Sequence, residues 1–159
     1  MSGDGAARIV AIQLDGASIV RWNREVEHER QVALFDLMER NSFRLVNGFA
    51  GPYRVLLSLR EANLMFTVSD EQERSVAEVT LSMRPFRRLI KDYFLICDSY
   101  FQAIKSASPS RIEAIDMGRR GLHDEGAQKL SEALADKVEI DNETARRLFT
   151  LICVLHIRG

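Results

Sequence analysis

At Pro85 the hydrophobic period of this chain passes from two to that of a helix, and that change confines it to a small set of folds. Before it, three runs alternate. Tyr53, Val55, Leu57 and Leu59 share one face of the first, Leu64, Phe66 and Val68 one face of the second, and Ala77, Val79, Leu81 and Met83 one face of the third. A period of two marks a half-buried strand. The connections Glu61-Ala62-Asn63 and Asp70 to Arg74 are short and polar, as hairpins require. The opposite faces carry Arg54, Ser58, Thr67, Ser69, Glu78, Thr80 and Ser82. Such a sheet packs helices on one side and meets water or a partner on the other. Beyond Pro85, the residues Phe86, Leu89, Ile90, Tyr93, Phe94, Cys97, Tyr100, Phe101 and Ile104 recur at helical spacing instead.

The remaining elements follow from local signals. Residues 8–15 alternate, with Val10, Ile12 and Leu14 on one face, and read as a strand ending in a turn at Asp15-Gly16. Residues 19–22 read as a second short strand. Asn23 is an N-cap for a helix reaching about Arg40, with Glu25 and Glu27 in its first turn. Residues 44–52, containing Asn47-Gly48 and Gly51-Pro52, read as a loop. Ser108 followed by Pro109 opens a helix to about Leu134, and Asp141 caps another in which Leu148, Phe149, Ile152 and Leu155 face inward. Residues 1–7 are expected to be disordered and residues 8–159 to form one domain. The fold class predicted is α+β, an antiparallel sheet of four to five strands with about four helices on one face.

Composition narrows the function classes. The chain has 159 residues, 46% of them hydrophobic and 28% charged, with a formal net charge of −1. A polyanion binder usually carries a basic excess or stripe, so nucleic acid is not an expected partner. Basic residues are mostly arginine, lysine occurring only at Lys91, Lys105, Lys129 and Lys137. Cys97 and Cys153 both fall inside hydrophobic helical patterns and read as small core residues of a reducing compartment. The first seven residues lack the basic start and apolar run of a signal peptide. The longest apolar stretch, residues 148–157, falls well short of the roughly 20 residues of a membrane span. The expectation is a cytoplasmic chain with no membrane contact.

Two arginines break the helical patterns. On a wheel of roughly 100° per residue, Ile112, Ile115, Leu122, Gly126, Leu130 and Ala133 cluster on one side of the long helix, and Arg119 falls among them with His123 at the edge and Asp116 nearby. Gly126 on that face implies close approach by another element. In the first helix Val26, Ala33, Leu34, Leu37 and Met38 form the stripe, and Arg30 lies within it, one turn from Glu27. Buried charge is costly unless paired or holding a ligand. Glu27, Arg30, Arg119 and His123 are therefore the candidate ligand-binding residues: two guanidinium groups could hold a phosphate or carboxylate, and His123 could act as donor or general base. The competing reading is structural. Either Glu27 neutralises one arginine while carbonyls satisfy the rest, or Gly118 and Gly121 break the helix and Arg119 reaches solvent.

Other positions are less pointed. Arg87-Arg88 and Arg146-Arg147 sit on polar faces, and neighbours diverge by roughly 100° on a helix, so neither pair reads as one clamp. Leu95 lies amid the polar face of Lys91, Asp98 and Gln102 and is the candidate interface residue, homodimerisation being the simplest contact. His156 reads as a satisfied core histidine and His28 as a surface residue. No His-Glu-x-x-His, Cys-x-x-Cys, Gly-x-Ser-x-Gly or phosphate-loop spacing occurs, and Gly3 and Gly5 precede a strand instead of following one. No metal, cofactor or catalytic residue is assigned.

Several stretches carry a resemblance: Val26-Glu-His-Glu-Arg30 running on to Phe35-Asp-Leu, Pro85-Phe-Arg-Arg-Leu-Ile-Lys-Asp-Tyr-Phe-Leu-Ile-Cys97, Ile112-Glu-Ala-Ile-Asp-Met-Gly-Arg-Arg-Gly-Leu-His123, and Val138-Glu-Ile-Asp followed by Thr144-Ala-Arg-Arg-Leu-Phe-Thr-Leu-Ile-Cys-Val-Leu-His156. Together they resemble the bacterial group known as uncharacterised protein family 0262. The resemblance implies one full-length domain in a bacterial cytoplasm and transfers no activity, cofactor or catalytic residue. The leading functional expectation is a non-catalytic binding or regulatory module. Its protein partner, or a second copy, would meet the open sheet face or Leu95, and an anionic small molecule would sit at Arg30 and Arg119. The alternative is a small enzyme acting on a phosphorylated or carboxylated metabolite with His123 as acid/base.

Overall fold

The computed structural model describes residues 6–15 and 24–156. The expected turn at Gly16, the strand at residues 19–22 and the Asn23 cap lie outside the described residues, as do residues 1–5. The elements are β1 (Ile9–Leu14), α1 (Arg24–Glu39), β2 (Phe43–Leu45), β3 (Tyr53–Arg60), β4 (Asn63–Ser69), β5 (Ser75–Ser82), α2 (Arg87–Ser106), α3 (Pro109–Leu134), β6 (Val138–Ile140) and α4 (Asn142–Leu155). A single 3-10 turn at Arg84–Phe86 leads into α2.

The α+β architecture stands. Strands β3, β4 and β5 form the antiparallel meander, with Leu57 opposite Phe66 and Phe66 opposite Val79. The inward line of Tyr53, Val55, Leu57, Leu64, Phe66, Val68 and Val79 is buried, as the alternation requires. The sheet is mixed and not wholly antiparallel: β1 joins the edge beside β3 in parallel, in the order β1-β3-β4-β5. A parallel neighbour needs a long crossover, and the segment containing α1 supplies it. The outer edge of β1 is closed by a side chain. Asn41 accepts from Ile9 N at 2.7 Å and donates to Ile9 O at 3.0 Å, and it also donates to Leu37 O at the end of α1.

The segment expected to be a loop at residues 44–52 begins instead with a strand. Strand β2 pairs with β6, Arg44 lying opposite Glu139 and forming an ion pair with it. Three-residue strands are too short to show a period, and their pairing is decided by tertiary packing alone.

The helices form one layer over the inner face of the sheet. Helix α4 packs between α1 and α3, and α2 packs along α3. Both expected caps are present: Ser108 Oγ accepts from Arg111 N, and Asp141 Oδ1 accepts from Thr144 N at 2.8 Å. Helix α4 is buried on every side from Leu148 to Leu155, well beyond the four inward residues its stripe suggested. A helix apolar all round belongs at the centre of a layer. Gly126 of α3 permits this: a Cβ there would lie 2.6 Å from ring carbons of Phe149. Two stripe assignments are corrected, since Ile104 is 51% exposed and Leu134, not Ala133, is the buried residue ending α3. Among the described residues no helix is long and apolar enough to cross a membrane.

Candidate functional site

Arg119 points inward, as its place on the α3 wheel requires, and its side chain is 20% exposed. Its Nη2 and Nε donate to Asp116 Oδ1 at 2.8 and 3.2 Å. Its Nη1 lies 3.5 Å from Glu29 Oε2 on α1, and the guanidinium sits 4.4 Å from the centroid of the Tyr100 ring. The Tyr93 hydroxyl donates to Glu29 Oε1 at 2.9 Å. Burial opposes the arginine's charge, but its hydrogen bond to Asp116 and the charges of Glu29 and Asp116 more than reverse that, so its pKa is raised. The same surroundings, burial first and then Glu29, push the Cys97 thiol up to about 11. This part of the site is a closed network joining α1, α2 and α3.

His123 lies one turn further along α3. Its ring centroid is 5.3 Å from that of Tyr93, and its Nε2 is 3.3 Å from Thr150 Oγ1 of α4. The Thr150 hydroxyl donates in turn to Arg146 O at 3.2 Å, which makes His123 Nε2 the donor to Thr150. Burial, with Arg146 and Arg119 close by, lowers the His123 pKa to about 4. The ring is therefore neutral at physiological pH.

These residues open onto a cleft of about 250 Å³ between α1, α3 and α4. Its charged walls are Arg119, Arg146 and Arg147 on one side of the ledger and Glu29, Asp36 and Glu143 on the other. Arg146 Nη1 contacts Asp124 at 2.6 Å. Arg147 reaches Glu143 at 3.4 Å and donates to Arg40 O at the end of α1 at 3.3 Å. The two arginines do diverge, as helical geometry demands, but long side chains bring both to the rim of the same cleft.

The four candidate ligand residues do not converge. Arg119 and His123 line the cleft; Glu27 and Arg30 do not. Those two pair with each other on α1, Nη2 to Oε1 at 2.5 Å, with side chains 34% and 29% exposed. Helix α1 is rotated from the expected wheel so that Glu29, Ala33 and Leu37 form its inner line. Glu29 is the residue the sequence reading missed. Its signal was available: it stands four residues before Ala33 and eight before Leu37, both fully apolar inner positions. Leu95, the candidate interface residue, is 59% exposed on α2. Among the described residues no group of three or more His, Cys, Asp or Glu side chains is placed to hold a metal.

Residues 6–158 match the sequence profile of an uncharacterised protein family, UPF0262. The chain belongs to that family. A family member from Rhodospirillum rubrum is 58% identical over 151 residues, covering 95% of this chain and 93% of its own. One from Brucella canis is 58% identical over 154 residues, 96% of each chain. One from Brucella anthropi is 57% identical over the same length. No solved structure matches the chain. The match spans α1, the β-meander and the cleft, so UPF0262 membership covers every element that builds the site.

Proposed function

We propose that this chain is a non-catalytic binding module of the bacterial cytoplasm, with the cleft between α1, α3 and α4 as the seat of a small anion, a carboxylate or phosphate group. The observation that carries the reading is the unequal burial of the ion pairs lining the cleft. Arg119 is held by Glu29 and Asp116, whose side chains are only 16% and 17% exposed. Arg146 and Arg147 are held by Asp124 and Glu143, both 61% exposed. An exposed ion pair is worth about 0–1 kcal/mol, so an incoming anion displaces those carboxylates at little cost. Arginine then offers a planar, two-pronged donor set. Arg119 stays locked behind them as structure and background charge. The free, buried thiols of Cys97 and Cys153 fit a reducing compartment. A protein partner or second copy would meet the exposed Leu95 on α2.

The enzymatic alternative puts His123 to work as acid or base on a phosphorylated or carboxylated metabolite. A pKa of about 4 leaves it a weak base at neutral pH, far from the match to operating pH that efficient proton transfer needs. That favours the binding reading.

The test is a thermal-shift titration of wild type and Arg146→Gln with inorganic phosphate, nucleotides and small carboxylates. Ligand at about 100 times its Kd adds about 2.7 kcal/mol, which moves the midpoint by several degrees. A rise in wild type that is lost in Arg146→Gln supports the proposal. No rise with any probe, or a rise that survives the substitution, overturns it.

A further inference from the structure

The open face of the sheet carries a second groove, of about 220 Å³, lined by Ala11, Gln13, Arg54, Leu56, Thr67, Ser69 and Glu73, with Val55 at its floor. The register explains its shape. Arg54 lies between Ala11 of β1 and Ser69 of β4, and Leu56 between Gln13 and Thr67. Directly opposed residues on neighbouring strands share a face, so the small side chains of Ala11 and Ser69 leave a hollow around the longer arginine. Among the described residues the helices share their core with the inner face of the sheet, and neither Arg54 nor Leu56 belongs to it.

The polar side chains of this groove differ from those of the helical cleft. There, Arg119, Arg146 and Arg147 are each paired with carboxylates. Here, among the described residues, the side chains of Gln13, Arg54, Thr67, Ser69 and Glu73 make no hydrogen bond or ion pair. Arg54, Thr67 and Ser69 are nonetheless half-buried. Arg54 and Glu73 carry opposite charge, border the same hollow and do not pair with each other.

The backbone holds Glu73 where it stands. Asp70 Oδ1 accepts from Gln72 N and Arg74 N at 2.9 Å each, Asp70 Oδ2 accepts from Arg74 Nε at 3.0 Å, and Glu73 N donates to Asp70 O at 2.9 Å. Glu73 itself adopts a φ of +64°, a conformation glycine takes far more readily. The β4–β5 turn thus fixes the backbone from which a carboxylate reaches the groove.

We propose that this groove binds a small zwitterion of the α-amino acid class. Its carboxylate would lie on the Arg54 guanidinium, with the Thr67 and Ser69 hydroxyls and the Gln13 amide as further donors, and its ammonium would face Glu73. A simple anion is disfavoured because Glu73 repels it, a phosphate dianion most of all. The site is separate from the cleft between α1, α3 and α4, and stands or falls independently of it.

The experiment is an amide NMR titration of the full chain at millimolar L-alanine, acetate or inorganic phosphate, using wild type, Arg54→Gln, Glu73→Gln and Arg146→Gln. The expected result is movement of the Ala11, Arg54, Thr67 and Ser69 amides with L-alanine. That response should weaken at least tenfold in Arg54→Gln and persist in Arg146→Gln. In Glu73→Gln the preference for L-alanine over acetate should vanish while acetate binding is kept. Arg54 and Glu73 face solvent, so the unperturbed remainder of each spectrum reports an intact fold. Three results overturn the proposal: no movement with L-alanine, equal or stronger movement with phosphate in wild type, or a response unaffected by Arg54→Gln.

Discussion

Tyr93 and Glu29 are joined by a hydrogen bond of 2.9 Å that ties α2 to α1, although α1 packs chiefly on α4 and α2 on α3. Glu29 is the hinge of that link, since it also receives Arg119. Replacing Arg119 with methionine leaves two poorly exposed carboxylates facing each other without a cation. The expected loss is about 2–4 kcal/mol, less than for a fully buried pair. Tyr93→Phe removes one donor and should cost about 1–2 kcal/mol. Urea denaturation of both variants checks the order, with Arg119→Met the worse.

The His123 pKa fixes a direction of pH dependence. It lies near 4 in the folded chain, below the ordinary value of about 6.5 that the unfolded chain retains. Between these values the unfolded state binds more protons, so stability falls as pH is lowered from about 6.5 and the effect is complete near 4. The contribution is on the order of 1–3 kcal/mol. Comparing the stability of wild type and His123→Asn from pH 7 to 5 isolates it, because most carboxylates stay ionised there. The wild type should show the steeper decline.

Asn41 substitutes for a missing strand at the edge of β1. Ile9 is fully buried, so Asn41→Ala leaves its amide and carbonyl without partners or water. A loss of about 1–3 kcal/mol is expected. Hydrogen exchange at the Ile9 amide should accelerate in proportion.

Gly126→Ala tests the approach of α3 to α4. Alanine gains about 1 kcal/mol of helix propensity over glycine, but the new Cβ meets the Phe149 ring at 2.6 Å inside a filled core. Overpacking of that kind costs about 1–3 kcal/mol, and net destabilisation is expected. The double variant with Phe149→Leu should recover part of the loss; a stabilised single variant would contradict the packing described.

Features that rest on one local signal were readable from the sequence. The meander, the Ser108 and Asp141 caps and the close approach at Gly126 each follow from residues adjacent in the chain or on one wheel. Features that rest on a choice between distant partners were not. Strand β2 finds β6 across most of the chain, and β1 runs parallel to β3 only because α1 carries the chain back across the sheet. The site divides in the same way. Arg119 was readable as a residue on the apolar side of the α3 wheel, though Gly118 and Gly121 also allowed it to reach solvent. Its partner Glu29 was not, because α1 offers polar residues on several faces and the contact with α4 decides which of them turns in.

The position of α4 bears on how the chain is made. Every other described element precedes it in synthesis, yet α1 and α3 both require it between them. As the nascent chain leaves the ribosome, the meander and the α2–α3 hairpin can form early from neighbouring segments. The slot between α1 and α3 stays lined with exposed apolar side chains until α4 emerges to close it. Completion of the core thus waits on α4, and until it docks that apolar surface is open to association with other chains.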